Sequence, residues 1–401
     1  MLKGKIMHRT LLGGALSAIA VIGFAAGANA QQVHKEGSVY YKAVCPPVSG
    51  EMMARCASLI ITDPHGNPLV SAEPPVGGLT PADLYSAYKV KAGGQASTIV
   101  AVVDAGGYPT AESDLAAYRT EFGLPACTTD NGCFETYNQK GKQNKYPPPA
   151  GWGVEEALDL DMASAMCPGC TIYLMEGNTA SFKSLATAED SAAALGAHVI
   201  SNSYCGNEGK YAKKIASSYD HVGVAITAAA GDDGYDTCSG GVGVSTPADM
   251  PTVIAVGGTY LTTADNKRGW NETVWNGTGS GCSTVFKKPQ WQTDSGCSMR
   301  TVGDVAAVAS PASAVAIYYN GGWTEVGGTS VATPLIGGIF GTNGGTVNAA
   351  STIYANTKKL FDVTTGSNGS CSPAYLCTGE VGYDGPTGNG TPNGIKAFGS
   401  K

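Results

Sequence analysis

The sequence predicts an α/β protein built on a doubly wound, mostly parallel sheet with helices on both faces. Three observations carry this. Short β-branched runs recur along the chain, each closed by polar or glycine-rich residues. Segments of helical period lie between them. Acidic and amide residues collect where the strand-like runs stop, the place where such sheets gather their active groups.

Taken in order, residues 1–30 place Lys3, Lys5, His8 and Arg9 ahead of a small-residue apolar stretch ending in Ala-Asn-Ala. This is the pattern of a secretory signal peptide cut after Ala30. An uncleaved anchor is the alternative, but the stretch is barely long enough to span and a cleavage site follows it directly. Residues 31–77 are polar and proline-containing and read as an N-terminal arm clipped by a disulfide, ending in a linker at Pro74-Pro75. From "GLTPADLYSAYKV" onward, residues 78–401 read as one packed domain. "STIVAVVDAGG", "TIYLMEG", "AHVISNSY", "GVAITAAAGDDG" and "PTVIAVGGT" are its buried-strand runs. "SDLAAYRTEFGL", "EEALDLDMASAM" and "SFKSLATAEDSAAALG" are the helices between them. Asp104, Asn202, Asp232 and Asp233 sit at strand ends.

With 14% charged residues, 56 glycines and a formal charge of −7, the chain suits a turn-rich exported fold. That balance argues against nucleic acid or an anionic membrane as a partner. No later segment is apolar for long enough to cross a bilayer, so a soluble monomer, extracellular or periplasmic, is expected. The 12 cysteines of an exported chain fall into sequence neighbours. These are Cys45 with Cys56, Cys127 with Cys133, Cys167 with Cys170, Cys282 with Cys297 and Cys371 with Cys377, leaving Cys205 with Cys238. Six disulfides are expected. "CPGC", Cys167 to Cys170, has redox or half-zinc spacing, but no second CxxC or nearby His completes a metal set, so a structural bridge is the better reading.

Chemistry centres on "GGWTEVGGTSVATPL", where Ser330 stands among small residues. A serine nucleophile needs a base. His8 lies in the leader, His34 and His65 in the arm, and His198 and His221 flank strand-like runs, so no histidine is an obvious partner. The nucleophile elbow G-x-S-x-G is absent. "GWGVEEALDLDMASAM" offers carboxylates instead: Glu155 and Asp159 are four apart and share a helix face. Like charges there are unfavourable unless they share a proton. On spacing alone, a solvated acidic first turn, with Glu156 and Asp161 as further members, is the simpler explanation.

The ordered series "LTPADLYSAY", "VVDAGGYPTAESDLAAYRTEFGLPACTTDNGCF", "EEALDLDMASAMCPGC", "SNSYCGNE", "AAAGDDG", "VIAVGGTYL", "GSGCS", "GGTSVATPL" and "VGYDGPTGNGTPNG" resembles the sedolisins, the serine-carboxyl peptidases. The resemblance covers nearly all of residues 78–394 and implies a subtilisin-like fold with a Ser/Glu/Asp triad. It makes Ser330 the nucleophile, Glu155 the general base, Asp159 the carboxylate that orients it and Asp232 an oxyanion-hole member. Asp104 falls where subtilisins keep their catalytic aspartate and becomes an outer member of the network. It also implies one structural calcium ion in the region of residues 360–394, held by Asp362 and Asp384 and by main-chain oxygens of Val363, Glu380 and Gly382. Without the resemblance these would read as Asp/Gly turns; Glu380 stands where glycine is commoner. The large pro-domain usual in sedolisins has no counterpart in residues 31–77.

The expectation is therefore a secreted serine-type endopeptidase acting on proteins or peptides through an acyl-enzyme, favoured at acidic pH. A catalytically inactive binding protein of the same fold and a non-proteolytic serine hydrolase are the alternatives.

Overall fold

The structure is a computed structural model that describes residues 31–47, 50–75, 77–238, 241–345 and 350–399. The expected leader, residues 1–30, lies outside them. Among the described residues no helix is long and apolar enough to cross a membrane.

The strands used below are β1 (His34–Glu36), β2 (Val39–Ala43), β3 (Arg55–Cys56), β4 (Leu59–Thr62), β5 (Ile99–Ala105), β6 (Phe134–Asn138), β7 (Thr171–Gly177), β8 (Val199–Asn202), β9 (Tyr204–Asn207), β10 (Ala225–Ala229), β11 (Ile254–Thr263), β12 (Trp270–Val274), β13 (Val305–Val308), β14 (Val315–Tyr319) and β15 (Gly322–Gly327). The helices are α1 (Pro81–Tyr88), α2 (Ala111–Glu121), α3 (Gly153–Met166), α4 (Phe182–Ala194) and α5 (Thr329–Thr342). The central sheet runs β12-β11-β10-β8-β5-β7-β6, with β13 also paired to β11. All its pairs are parallel except the β11/β12 hairpin.

This layering follows from strands that are apolar on both sides. In β5, Val100 and Val102 join a core with Leu158 and Met162 of α3 and Leu335 and Ile339 of α5. Ala101, Val103 and Ala105 face the other way, into a core with Leu185, Ala188 and Ala192 of α4. Period-two alternation with no polar face is what burial under helices on both sides requires. The start of α1 is fixed by Thr80, whose side chain accepts from Asp83 N while the Asp83 carboxylate accepts from Thr80 N, with Pro81 in the first turn.

Helices α3 and α5 pack on the same side of the sheet and approach closely. A Cβ on Gly338 would stand 2.7 Å from Met166 Cβ and 3.0 Å from the Ala163 carbonyl oxygen. Only hydrogen fits there.

Two expectations need correction. The segment expected as an N-terminal arm and linker, residues 31–77, carries strands that belong to the body of the fold. Strands β1, β2 and β4 form a five-stranded sheet with β15 and β14, and β3 pairs with β9; Gln32–Lys401 forms one compact unit. The cause is "ASLIITD", a buried-strand run hidden within a polar stretch: Leu59, Ile60 and Ile61 are all buried, and burying their apolar area requires a sheet partner.

The second correction concerns the bridges, which number five among the described residues and not six. Cys45 is bonded to Cys56, Cys127 to Cys133 and Cys167 to Cys170. Toward the C-terminus, Cys282 is bonded to Cys297 and Cys371 to Cys377. Each of these pairs is short in sequence, with no more than 15 residues of separation, so a single turn or hairpin suffices to bring its thiols together. Cys205 and Cys238 are free buried thiols. Their pairing rested on elimination, which sets no distance. The structure brings the two thiols into hydrogen-bond contact without joining them, and that bond from Cys238 holds the Cys205 thiol down at about 7. Peptide mapping after alkylation in denaturant should therefore find five bridges, with label on Cys205 and Cys238 and none on Cys133, Cys297 or Cys377. A sixth bridge between Cys205 and Cys238 would reverse the correction.

Candidate active site

Ser330 is the second residue of α5, and its placement depends on Gly328. That glycine has φ 104° and precedes the helix as its N-cap. A Cβ there would lie 2.3 Å from the Ala57 carbonyl oxygen and 2.7 Å from Asp232 Oδ2. The "GGTS" sequence thus brings a helix N-terminus up against a carbonyl and a carboxyl. Ser330 N–H donates to Ala57 O at 2.9 Å. The Ser330 hydroxyl donates to Ser203 O at 3.0 Å and faces the Glu155 carboxyl, as does the hydroxyl of Ser58.

Asp232 follows β10 at its carboxyl end. Its Oδ1 accepts from Thr329 N at 2.8 Å and from Thr329 Oγ1 at 2.7 Å, while Oδ2 has no protein partner. Burial pushes this carboxyl up to about 8 against the lowering effect of the Thr329 bonds. A proton on it therefore belongs on Oδ2, the unpartnered oxygen on the side of Gly328.

Glu155 and Asp159 lie one turn apart on α3 and are fully buried, so they are not a solvated acidic face. No hydrogen bond of normal geometry satisfies either carboxylate. Burial raises both well above the usual carboxyl range. Asp104 raises both further, and for Asp159 the Glu155 carboxyl adds to it. Asp104 lies near the end of β5 with both oxygens unpartnered and is pushed up to about 8 by burial and then by Glu176. Such a set can remain in the interior only by holding protons.

The structure thus brings together Ser330, Glu155, Asp159, Asp232 and Asp104. It adds groups that the sequence reading missed or set aside. Glu176, near the end of β7, stands directly across from Asp104 in the parallel register and is pushed up to about 7 by burial. "VVDAGG" and "LMEG" both close a strand on an acid, and aligning those ends would have found it. Glu156 is buried as well and interacts with Asp104, Glu176 and Glu155. Asp161 belongs elsewhere: it accepts from Tyr318 N at 3.0 Å and ties α3 to β14. His198 Nδ1 accepts from Ile99 N at 3.2 Å, and His221 lies beside Asp190 at 3.5 Å, so neither bonds to the Ser330 set.

Toward the C-terminus, Asp362 and Asp384 also converge. Asp362 Oδ2 accepts from Gly382 N at 2.9 Å. Asp384 accepts from Thr387 N and Oγ1 on Oδ1, each at 2.9 Å, and from Glu380 N at 3.1 Å on Oδ2. Asp384 is fully buried, and burial, with a contribution from Asp362, pushes it up to about 7. Among the described residues no three His, Cys, Asp or Glu side chains gather as a metal set. Two carboxylates brought to one glycine-containing loop, Asp362 bonded to Gly382 N and Asp384 to Glu380 N, nevertheless offer the oxygen donors that suit a hard cation.

Comparison with known proteins matches residues 141–359 to the subtilase family. The chain belongs to the subtilase family. Within the subtilases it is of sedolisin type. It is 31% identical to kumamolisin from Bacillus sp. (strain MN-32), over 79% of this chain and 62% of that protein. It is 37% identical to xanthomonalisin from Xanthomonas sp. (strain T-22), over 37% of this chain and 21% of that protein. The solved structure of Pseudomonas sedolisin, a serine-carboxyl proteinase complexed with two molecules of pseudo-iodotyrostatin, superposes with a TM-score of 0.69 at 27% identity, over 79% of this chain and 95% of that one. This subtilase spans less than two thirds of the length of kumamolisin and xanthomonalisin.

Proposed function

We propose that this subtilase is a secreted serine-carboxyl endopeptidase that cuts protein or peptide chains through an acyl-enzyme on Ser330. The observation that carries the reading is the conjunction at Ser330 of a helix N-terminus, the unpartnered Asp232 Oδ2 and the buried pair of Glu155 and Asp159. Glu155 takes the Ser330 hydroxyl proton as Oγ attacks a peptide carbonyl. Asp159 shares a proton with Glu155 and holds it toward the serine. The developing oxyanion sits between Ser330 N–H and a protonated Asp232 Oδ2, both present before the charge forms. Glu155 then hands its proton to the departing amine, and water reverses the sequence to release the acid. Because Asp232 donates only when protonated, activity is favoured on the acid side of neutrality.

The test is digestion of a peptide library by the purified protein at pH 3–8, read by mass spectrometry, with and without prior treatment by a fluorophosphonate. Internal peptide cleavage at acidic pH, blocked by the reagent together with labelling of Ser330, is expected. An ester substrate hydrolysed with no peptide cut would overturn the peptidase reading in favour of a non-proteolytic hydrolase, and an unlabelled Ser330 with no turnover in favour of a binding protein.

Asp362 and Asp384, with carbonyls of Val363, Glu380 and Gly382, would hold a calcium ion, whose charge would stabilise the C-terminal loop and take no part in the reaction. A chelator is expected to lower the melting temperature of the wild type but not of Asp384→Ala. Unchanged melting on chelation, with no calcium in the purified protein, would leave the loop a turn.

A further inference from the structure

We propose that the cavity at the carboxyl ends of β5 and β7 is a binding site for an alkylammonium or guanidinium group, the end of a lysine or arginine side chain; its service to a peptide substrate rests on the peptidase reading. The cavity has a volume of about 340 Å³ and is bounded by the turn after β5, the end of β7, strand β6 and the loop at residues 143–147. Sheets of this kind take their ligands outside the carboxyl ends of their strands, in clefts of this size. The walls are set by main-chain bonds: Gly106 N donates to Gly177 O at 2.8 Å and Gly107 N to Pro148 O at 3.2 Å.

Its charge has one sign. Glu112, Glu135 and Glu176 line the cavity, and among the described residues no lysine, arginine or histidine does. Glu176 is only 2% exposed; its Oε1 accepts from Tyr108 N at 2.9 Å, while Oε2 has no protein partner. A buried carboxyl oxygen left in that state requires a proton or a donor brought from outside. The carboxyl is turned toward the cavity, because the Tyr146 phenol that also lines it is raised by burial and then by the charges of Glu176 and Glu135. The other two acids are partly exposed and fixed in place. Glu112 Oε1 accepts from Thr129 N at 2.8 Å and from Thr129 Oγ1 at 3.0 Å, and Glu135 accepts from Gln143 Nε2.

The rest of the lining selects the kind of cation. Tyr108, Phe134 and Tyr146 give it aromatic walls. An ammonium or guanidinium on an apolar stem matches such a site, with the stem against the rings, the charge at Glu176 and the ring faces adding their own attraction. An anion would meet three carboxyls, and a neutral apolar group would leave Glu176 Oε2 without a donor. A bare metal ion is a poorer match, since the described residues gather no set of three metal-binding side chains here.

The site stands one strand from the proposed catalytic acids. Glu176 is opposite Asp104 in the β5/β7 register, and the Asp104 charge acts on both Glu155 and Asp159. A basic side chain anchored at Glu176 would therefore hold its peptide beside Ser330. Burial keeps Glu176 up at about 7, and a cation beside it favours the carboxylate, so an incoming ammonium takes the place of a proton. Asp104 and Glu156, which lie against Glu176, and Glu135 across the cavity all favour the same exchange. Binding tightens as pH rises toward about 7.

The first experiment titrates agmatine, with n-butanol as the uncharged control, into the Ser330→Ala chain at pH 7 and reads binding by ligand-observed NMR. Saturable binding of agmatine and none of n-butanol is expected, weakened at least about tenfold by adding Glu176→Gln and several fold by Tyr146→Ala or Glu135→Gln. No saturable binding, or binding undiminished in these variants, would overturn the site. The second experiment compares kcat/KM at pH 6 for peptides carrying lysine or norleucine at each position around the cut. A lysine preference of about tenfold or more at one position, lost in Glu176→Gln and competed by agmatine, identifies a substrate side chain as the occupant. A ratio near one, with agmatine changing the rate on the norleucine peptide, identifies a free amine instead. A ratio near one with no effect of agmatine would overturn the link to the reaction. If agmatine binds and no peptide is cut, the peptidase reading alone falls; if peptides are cut and agmatine does not bind, the cation site alone falls.

Discussion

Ser330→Ala is expected to abolish peptide hydrolysis, and Glu155→Gln to lower kcat by a factor on the order of 10⁴ or more, because an amide cannot accept the serine proton. Since the groups act as a unit, the double variant should be little worse than either single one. Asp232→Ala should cost on the order of a hundredfold in kcat with KM nearly unchanged, the usual consequence of losing one oxyanion donor. His198→Ala and His221→Ala should stay within a few fold, since neither ring bonds to the Ser330 set. Steady-state kinetics on a quenched peptide would check all of these. A dead His221→Ala beside an active Glu155→Gln would return the site to a histidine base.

The second large effect is on stability against pH, and its sign is opposite to that of an ordinary salt-bridged protein. Asp104 and Asp232 titrate at about 8 and Glu176 at about 7 in the folded state, against a usual value near 4 in the unfolded chain. The folded state thus binds more protons than the unfolded one between those limits. Stability is complete below about pH 4 and drains away as pH rises through about 7–8. Melting curves from pH 3 to 9 should show the highest midpoint on the acid side and a fall of many degrees by pH 8. A midpoint that is flat or climbs over that window would contradict the burial of these acids. Asp232→Asn, which donates at any pH, should shift the alkaline limb of activity upward without restoring the melting point.

The same carboxylates explain what the sequence made legible. Strand and helix placement could be read because strands buried on two faces leave apolar runs, and β5, β7, β8 and β10 each do so, whereas the order of the strands in the sheet was not read. Ser330, Glu155, Asp159 and Asp232 were reachable through the resemblance of their motifs to the sedolisins, since spacing alone favoured a solvated acidic turn for Glu155 and Asp159. Glu176 was not, because its importance comes from lying across the sheet from Asp104, a relation between strands that no local pattern records. The role of residues 52–62 was hidden for a similar reason: a segment that pairs with β9 and β15, far away in the chain, looks like a polar arm when read alone. The cysteines divide along the same line. Cys127 with Cys133, Cys282 with Cys297 and Cys371 with Cys377 are local pairs that spacing can find, whereas Cys205 and Cys238 show the limit of counting, which can say who remains but not how far apart they stand.

The tight seam at Gly338 has a mechanical consequence. Glu155 and Asp159 ride on one helix and Ser330 on the other, so the spacing between the proposed proton acceptor and the proposed nucleophile is set by how far apart two rods are clamped, a full two turns away along the helices. Alanine at 338 would act as a wedge: with a methyl group 2.7 Å from Met166 Cβ, the rods must separate or tilt. Such a lesion would leave every reacting side chain in place chemically while detuning their reach, and it would show as a lower turnover number in a protein that still folds and still takes up substrate.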